Sequence, residues 1–106
     1  MITNTPKPPY YAVIFTSERT DIDDDYAGVN DHLEEHAAKI DGFIGIESVR
    51  DGLGISISYW RDLAAIQEWR IHSDHIAAKE KGKTDWYEGY SIRICRVEQD
   101  KIFKKV

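Results

Sequence analysis

Two strand-forming runs flank an apolar stripe at helical spacing. A tight hairpin signal follows, and a second helical stretch and a last alternating run close the chain. That order, β-α-β-β-α-β, predicts an α+β domain of the ferredoxin-like type, with one four-stranded antiparallel sheet and two helices on one of its faces. Three observations carry the prediction. Tyr26, Val29, Leu33, Ala37 and Ile40 recur every three or four residues, as one side of a helix does. Asp51-Gly52 is a strong short hairpin signal. Ile55, Ile57 and Tyr59 alternate with Ser56, Ser58 and Trp60, the period of a strand.

The elements follow in order. Residues 1–9 read as a flexible lead-in, because Pro6, Pro8 and Pro9 remove backbone donors and favour extended chain. Tyr10 to Thr16 is rich in strand formers and makes the first strand. Thr20-Asp21-Ile22-Asp23 is a helix-start signal, with acidic residues suited to the positive end of the helix dipole. Asp41-Gly42 is expected to stop that helix. Gly42 to Arg50 reads as the second strand, with Ile44 and Ile46 on one face, and the third strand runs through Ile55 to Trp60. Asp62 opens a second helix with Leu63 and Ile66 inward. Ser73 and Asp74 are good caps, so a break is expected near Ile71–Ser73 before helix resumes through Ile76 and Ala77 and stops at Gly82. The fourth strand runs from Trp86 or Tyr87 to Glu98, where Tyr90, Ile92 and Ile94 alternate with Ser91, Arg93, Cys95 and Val97. Residues 99–106 form a tail, which leaves 10–98 as the domain.

A chain of 106 residues is one domain. At this size roughly 60–70% of the unfolded surface can be buried, enough for a core without disulfides or metal. No apolar run approaches the ~18–20 residues of a membrane helix. MITNTPKPPYY lacks the apolar core of a signal peptide, and the single cysteine, Cys95, rules out an internal disulfide framework; both point to the cytoplasm. Cys95 is expected to be a small buried hydrophobe rather than a nucleophile. A net charge of −5, with acidic clusters at Asp21–Asp25 and Asp31–Glu35, argues against nucleic-acid binding. Lys79, Lys81, Lys83, Lys101, Lys104 and Lys105 read as solvated. Large residues occupy both faces of the strands, Val13 and Phe15 against Ala12 and Ile14, Ile92 and Ile94 against Cys95 and Val97. One helical layer covers one face, so the other is expected to join a second copy in a homodimer.

The runs YAVIFTS, GFIGIES, GISISYW, WRIHSDH and WYEGYSIRICRVE, in this order, resemble the antibiotic biosynthesis monooxygenase (ABM) domain family over about Tyr10 to Glu98, in its small single-domain bacterial form. The resemblance implies a dimeric α+β barrel of two ferredoxin-like sheets, with a pocket in each protomer between sheet and helices. Some members oxidise polycyclic aromatic phenols with dioxygen and neither metal nor flavin; others bind and degrade haem; others handle quinols or signalling molecules. Haem-degrading members pair an Asn in the first strand and a Trp in the second helical segment with a His ten positions after that Trp. Trp69 fits the Trp, but Lys79 stands at the histidine position and YYAVIFTSE holds no Asn, so no haem is expected. Phenol-oxidising members place an Asn one turn before the Trp, where this chain has Ala65, and an Arg in the last strand, matched by Arg93.

Cofactor-free oxygenation needs a base to take a phenol or enol proton, a donor or cation to hold the anion, and flat walls in a dry pocket. His75 and His72 are the candidate bases, Arg93 the anion stabiliser, and Trp69, Tyr90 and Trp86 the substrate-binding walls. Each has a plainer alternative. Trp69 lies off the Leu63–Ile66 line, at the boundary between pocket and core. Trp60 reads as a packing plug or dimer contact, Trp86 and Tyr87 as interface residues, and His72 as a cap on exposed carbonyls. Arg93 would then pair with Glu47. His32, His36, His72 and His75 could meet as a metal site, but His32 points away from the first helix's stripe and the expected break spoils the second pair, so no metal is expected. No Gly-rich phosphate loop, Cys cluster or serine triad is present. The sequence points to a dimeric, cofactor-independent monooxygenase acting on a small aromatic, phenolic or quinol-type substrate. The alternative is a non-catalytic dimer of the same fold that binds a small hydrophobic ligand or serves as an accessory protein.

Overall fold

The computed structural model describes residues 2–23, 26–79 and 86–105, and for 74–79 the backbone only. Its elements are β1 (Tyr10–Arg19), α1 (Tyr26–Ala38), β2 (Phe43–Asp51), β3 (Leu53–Trp60), α2 (Leu63–Lys79) and β4 (Tyr87–Val97). The strands form one sheet in the order β2-β3-β1-β4, every pair antiparallel. α1 therefore connects two strands with β3 inserted between them, and both helices pack on one face. This is the predicted ferredoxin-like α+β architecture.

Strand pairing assigns the two faces. Val13, Phe15 and Ser17 of β1 stand beside Ser58, Ser56 and Gly54 of β3, which stand beside Ile46, Ser48 and Arg50 of β2. This side meets the helices. Ala12, Ile14 and Thr16, with Tyr59, Ile57 and Ile55, form the outer side. Gly52, at φ +76°, joins β2 to β3 in a left-handed conformation that glycine adopts without a side-chain clash.

The core closes one end of the sheet. Val13, Ala37, Ile40, Trp60, Ala65 and Ile66 are buried together, with Tyr11, Phe43 and Trp69 packed against them. Trp60 is fully buried and is the plug of this end. Its ring meets Phe43 edge-on at 5.2 Å and stacks with Trp69 at 6.2 Å, and its Nε1–H donates to Ser58 Oγ at 2.8 Å.

Several expectations are corrected. α1 begins at Tyr26 rather than at residues 20–23, because Arg19 holds that stretch as a loop. The Arg19 guanidinium donates to Ile22 O at 3.0 Å and to Asp23 Oδ1 at 3.3 Å, and Thr20 N donates to Trp86 O at 2.8 Å. α2 has no break near Ile71–Ser73. The Ser73 hydroxyl donates back to the Arg70 carbonyl at 3.1 Å, a bond compatible with unbroken helix, instead of capping a new one. Asp62 does cap α2, accepting from Ala65 N at 2.9 Å. That start turns Ala65, Ile66 and Trp69 inward and leaves Leu63 53% exposed rather than packed. Cys95 is exposed rather than buried, because it lies on the outer side of an edge strand opposite Ala12. The expected helix stop at Gly82, and Lys81 and Lys83, lie outside the described residues.

The terminal segments are tied to the outer side. Thr3 N donates to Glu47 Oε2 at 2.8 Å, Tyr59 OH to Glu47 Oε1 at 2.7 Å, and Tyr10 OH and Thr5 Oγ1 to Asp100 Oδ2 at 2.6 and 3.1 Å. The Thr3 amide, with the Tyr59 hydroxyl second, holds the Glu47 carboxyl below its usual range. Burial and the bond to Glu47 push the Tyr59 phenol up to about 12. Among the described residues no helix is long and apolar enough to cross a membrane.

Candidate functional site

A cavity of about 400 Å³ lies between the sheet and the helices. Small residues on its floor create it. Where a filled core would carry branched side chains, the helix-facing side of β3 has Ser58, Ser56 and Gly54, beside Ser48 of β2 and Ser17 of β1. The branched residues of β3, Ile55 and Ile57, belong to the outer side. From α1 the roof takes Tyr26, Asn30, Leu33, Glu34 and Ala37; from α2 it takes Trp69, Arg70 and Ser73.

The two ends of the cavity differ in chemistry. Phe43, Trp60 and Trp69 make an aromatic wall where the core closes. At the other end, the end of β1, the β2–β3 hairpin and the starts of α1 and β4 converge on Ser17, Arg50, Tyr26, Trp86 and Tyr87. The Arg19 guanidinium sits 3.5 Å over the Tyr26 ring, and Trp86 meets that ring edge-on at 5.5 Å. The Tyr87 hydroxyl donates to the Tyr26 hydroxyl at 3.2 Å. Burial, and then this bond, push the Tyr87 phenol well above its ordinary range, so it stays a neutral donor. A tyrosine hydroxyl that accepts such a bond keeps its own proton to donate to a second partner. Arg50 Nη2 donates to Ser17 Oγ at 2.6 Å, and Nη1 makes longer bonds of 3.4 Å to the carbonyls of Ser17 and Gly52.

The residues singled out from the sequence are dispersed. Trp69 and Trp86 line the cavity from its two ends. Tyr90 packs against Phe15 and Tyr87, which line the cavity, at 5.6 and 5.8 Å, and is itself 47% exposed. Arg93 lies on the outer side opposite Ile14, exposed, with Nη1 donating to Ser91 Oγ at 2.8 Å. The sheet separates it from the cavity, and Glu47, its expected ion-pair partner, is on the far edge strand. His72 is exposed and meets His36 at 6.5 Å, and His36 meets His32 at 4.7 Å. None of these three histidines lines the cavity. The His75 side chain lies outside the described residues. Among those described, no group of three or more His, Cys, Asp or Glu side chains has the geometry to hold a metal ion.

Sequence reasoning missed Arg50, Tyr26, Tyr87 and the serine floor. The available signal was GISIS, a strand alternating small and branched residues between two others. Its small residues, not its isoleucines, face the helices.

No family model matches the chain. It is 45% identical over 106 residues to the uncharacterized protein YqjZ of Bacillus subtilis (strain 168), spanning 98% of this chain and 93% of that one. It is 35% identical over 94 residues to jasmonate monooxygenase ABM of Pyricularia oryzae, covering 82% of this chain but only 43% of the fungal protein, less than half its length. Among solved structures, SnoaB, a cofactor-independent oxygenase from Streptomyces nogalater, matches with TM-score 0.70 at 11% identity, over 88% of this chain and 97% of SnoaB. A Bacillus cereus protein described as a candidate antibiotic biosynthesis monooxygenase matches with TM-score 0.61 at 17% identity, over 91% and 100% of the two chains. The structural likenesses establish a shared fold, and the near full-length identity establishes kinship: the chain belongs to the family of Bacillus subtilis YqjZ, on the ferredoxin-like fold of ABM-type proteins.

Proposed function

We propose that the protein is a cofactor-independent oxygenase of the ABM type, acting on a small, flat aromatic, phenolic or quinol-type substrate held in this cavity. The observation that carries the reading is the cavity's polarity: aromatic walls at one end, and Arg50 with the Tyr26–Tyr87 hydroxyl pair at the other. Flat walls bind a flat substrate, and the other end offers a developing anion the Arg50 guanidinium, exposed at the mouth, and the tyrosine hydroxyls. Two of the proteins that the chain is similar to, SnoaB in fold and the jasmonate monooxygenase in sequence, are oxygenases by name. In the chemistry this serves, a base takes a proton from the substrate and the electron-rich anion reduces dioxygen. A C–O bond then forms, and loss of water from the hydroperoxide leaves a carbonyl. Among the described lining residues Glu34, with Asn30 Nδ2 donating to it at 3.5 Å, is the carboxylate that can take the proton.

Oxygen uptake with a panel of anthrones and quinols tests the reading. Uptake above the buffer background is expected, reduced roughly tenfold or more by Trp69→Ala, which removes one of the three rings of the aromatic wall. No uptake across the panel overturns the oxygenase reading and favours a non-catalytic ligand-binding protein. We also propose that two copies join through their outer sheet faces, where Val49, Leu53 and Ile55 are exposed beside Ile14 and Ile57. Sedimentation at micromolar concentration is expected to give twice the 12.2 kDa chain mass, and Ile57→Lys a monomer. A wild-type monomer contradicts the pairing.

A further inference from the structure

We propose that Arg50 is the anchor for a carboxylate on the cavity's ligand, so that the site selects flat apolar monocarboxylates over their uncharged counterparts. The inference deepens the proposed function and rests on the same cavity serving as the ligand site.

Arg50 is held for this task by its cross-strand partner. Its side chain lies across Gly54, and a Cβ built on Gly54 would fall on the guanidinium. The missing side chain lets the guanidinium lie flat over β3, reach Ser17 and face the cavity. Its charge is not neutralised: among the described residues no carboxylate lies within ion-pair distance of it. Its protein partners are a neutral hydroxyl and two carbonyls, and the fork has five N–H donors. An exposed guanidinium at the mouth of an apolar cavity, hydrogen-bonded but with no carboxylate partner among the described residues, is a site for an anion from outside the chain. Its planar fork matches the two oxygens of a carboxylate better than the one oxygen of a phenolate. Arg50 is the cation of this end and suits one negative charge there, while Arg70 lines the roof from α2 and Glu34 from α1.

The remaining dimension sets the body of the ligand. From Val13, beside the aromatic wall, to Ser17, beneath Arg50, is four residues of strand, ~13 Å at about 3.3 Å per residue. A fused two- or three-ring arene fits that span, with its carboxylate at Arg50 and its far ring at Trp69 and Trp60.

The test is calorimetric titration with 2-naphthoic acid, its methyl ester and 2-naphthol. The acid is expected to bind about tenfold or more tighter than either neutral compound. Arg50→Met is expected to erase the difference, and Arg50→Lys to keep part of it. Should Arg50→Met fail to fold, Gly54→Ala displaces the guanidinium while leaving it charged, and the same loss of preference is expected. Equal affinities in the wild type, a preference that survives both Arg50→Met and Gly54→Ala, or no binding of the acid at all overturns the proposal. Anthrone-dependent oxygen uptake without acid preference would leave the oxygenase reading standing and this one fallen. Acid preference without uptake on any anthrone or quinol would do the reverse.

Discussion

Trp60→Ala is expected to cost about 3–5 kcal/mol in urea denaturation, the range for removing a fully buried large aromatic. Domains of this kind have about 5–15 kcal/mol of stability in total, so the variant sits near the edge of folding. The reason is position. Trp60 ends β3 on the helix-facing side, opposite Tyr11 of β1 and Phe43 of β2, with Trp69 of α2 stacked on it. It joins the sheet to the second helix and closes one end of the cavity. Its loss also leaves the buried Ser58 hydroxyl without its indole partner. Trp60→Phe keeps most of the packing and is expected to cost about 1–2 kcal/mol less than alanine does. A cost below about 1 kcal/mol for Trp60→Ala would show that this end is loosely packed and that the cavity is not closed there.

Ser56→Leu is expected to separate binding from stability. Ser56 stands in the middle of the cavity floor between Phe15 and Ser48. A leucine there projects into the 400 Å³ space and buries apolar surface against Trp69 and Leu33. Thermal stability is expected to rise by about 1–2 kcal/mol, on the scale of ~0.8 kcal/mol per buried CH₂. Ligand affinity and oxygen uptake are expected to fall by roughly tenfold to a hundredfold, because the added atoms occupy the ligand's place. Destabilisation instead of stabilisation would mean that the space is already filled. Unchanged turnover in a folded variant would place the chemistry outside the cavity.

The topology was legible in the sequence because its periods are clean. The Tyr26–Ile40 stripe, Asp51-Gly52 and the alternation through Trp60 name their elements without help from tertiary contacts. The interior of α2 was less legible. Ser73 is as good at bonding its own helix as at capping a new one, and only the geometry shows which. The cavity was hidden for a more general reason. Period-2 alternation says that Ile55 and Ser56 lie on opposite sides, but not which side is covered by helices. Burial logic puts the isoleucines inward, and here the serines are inward. The same one-residue parity sends Arg93 to the outer side and Ile92 and Ile94 to the helix-facing one. Arg50, exposed near the end of an edge strand, reads as solvated trim in the sequence, and only the structure shows its guanidinium lying across Gly54 and bonded to Ser17. Trp69 and Trp86 were legible as aromatic groups beside helix and strand boundaries, and they bracket the cavity from its two ends.

The most direct measurement of the central claim is a crystal structure grown with anthraquinone, a flat ligand shaped like an oxygenation product. The rings are expected between Trp69 and the Ser56–Ser58 floor, with one carbonyl oxygen toward Tyr26 and Arg50. Rings bound on the outer face of the sheet, or a cavity that holds only water while the ligand binds in solution, would contradict it.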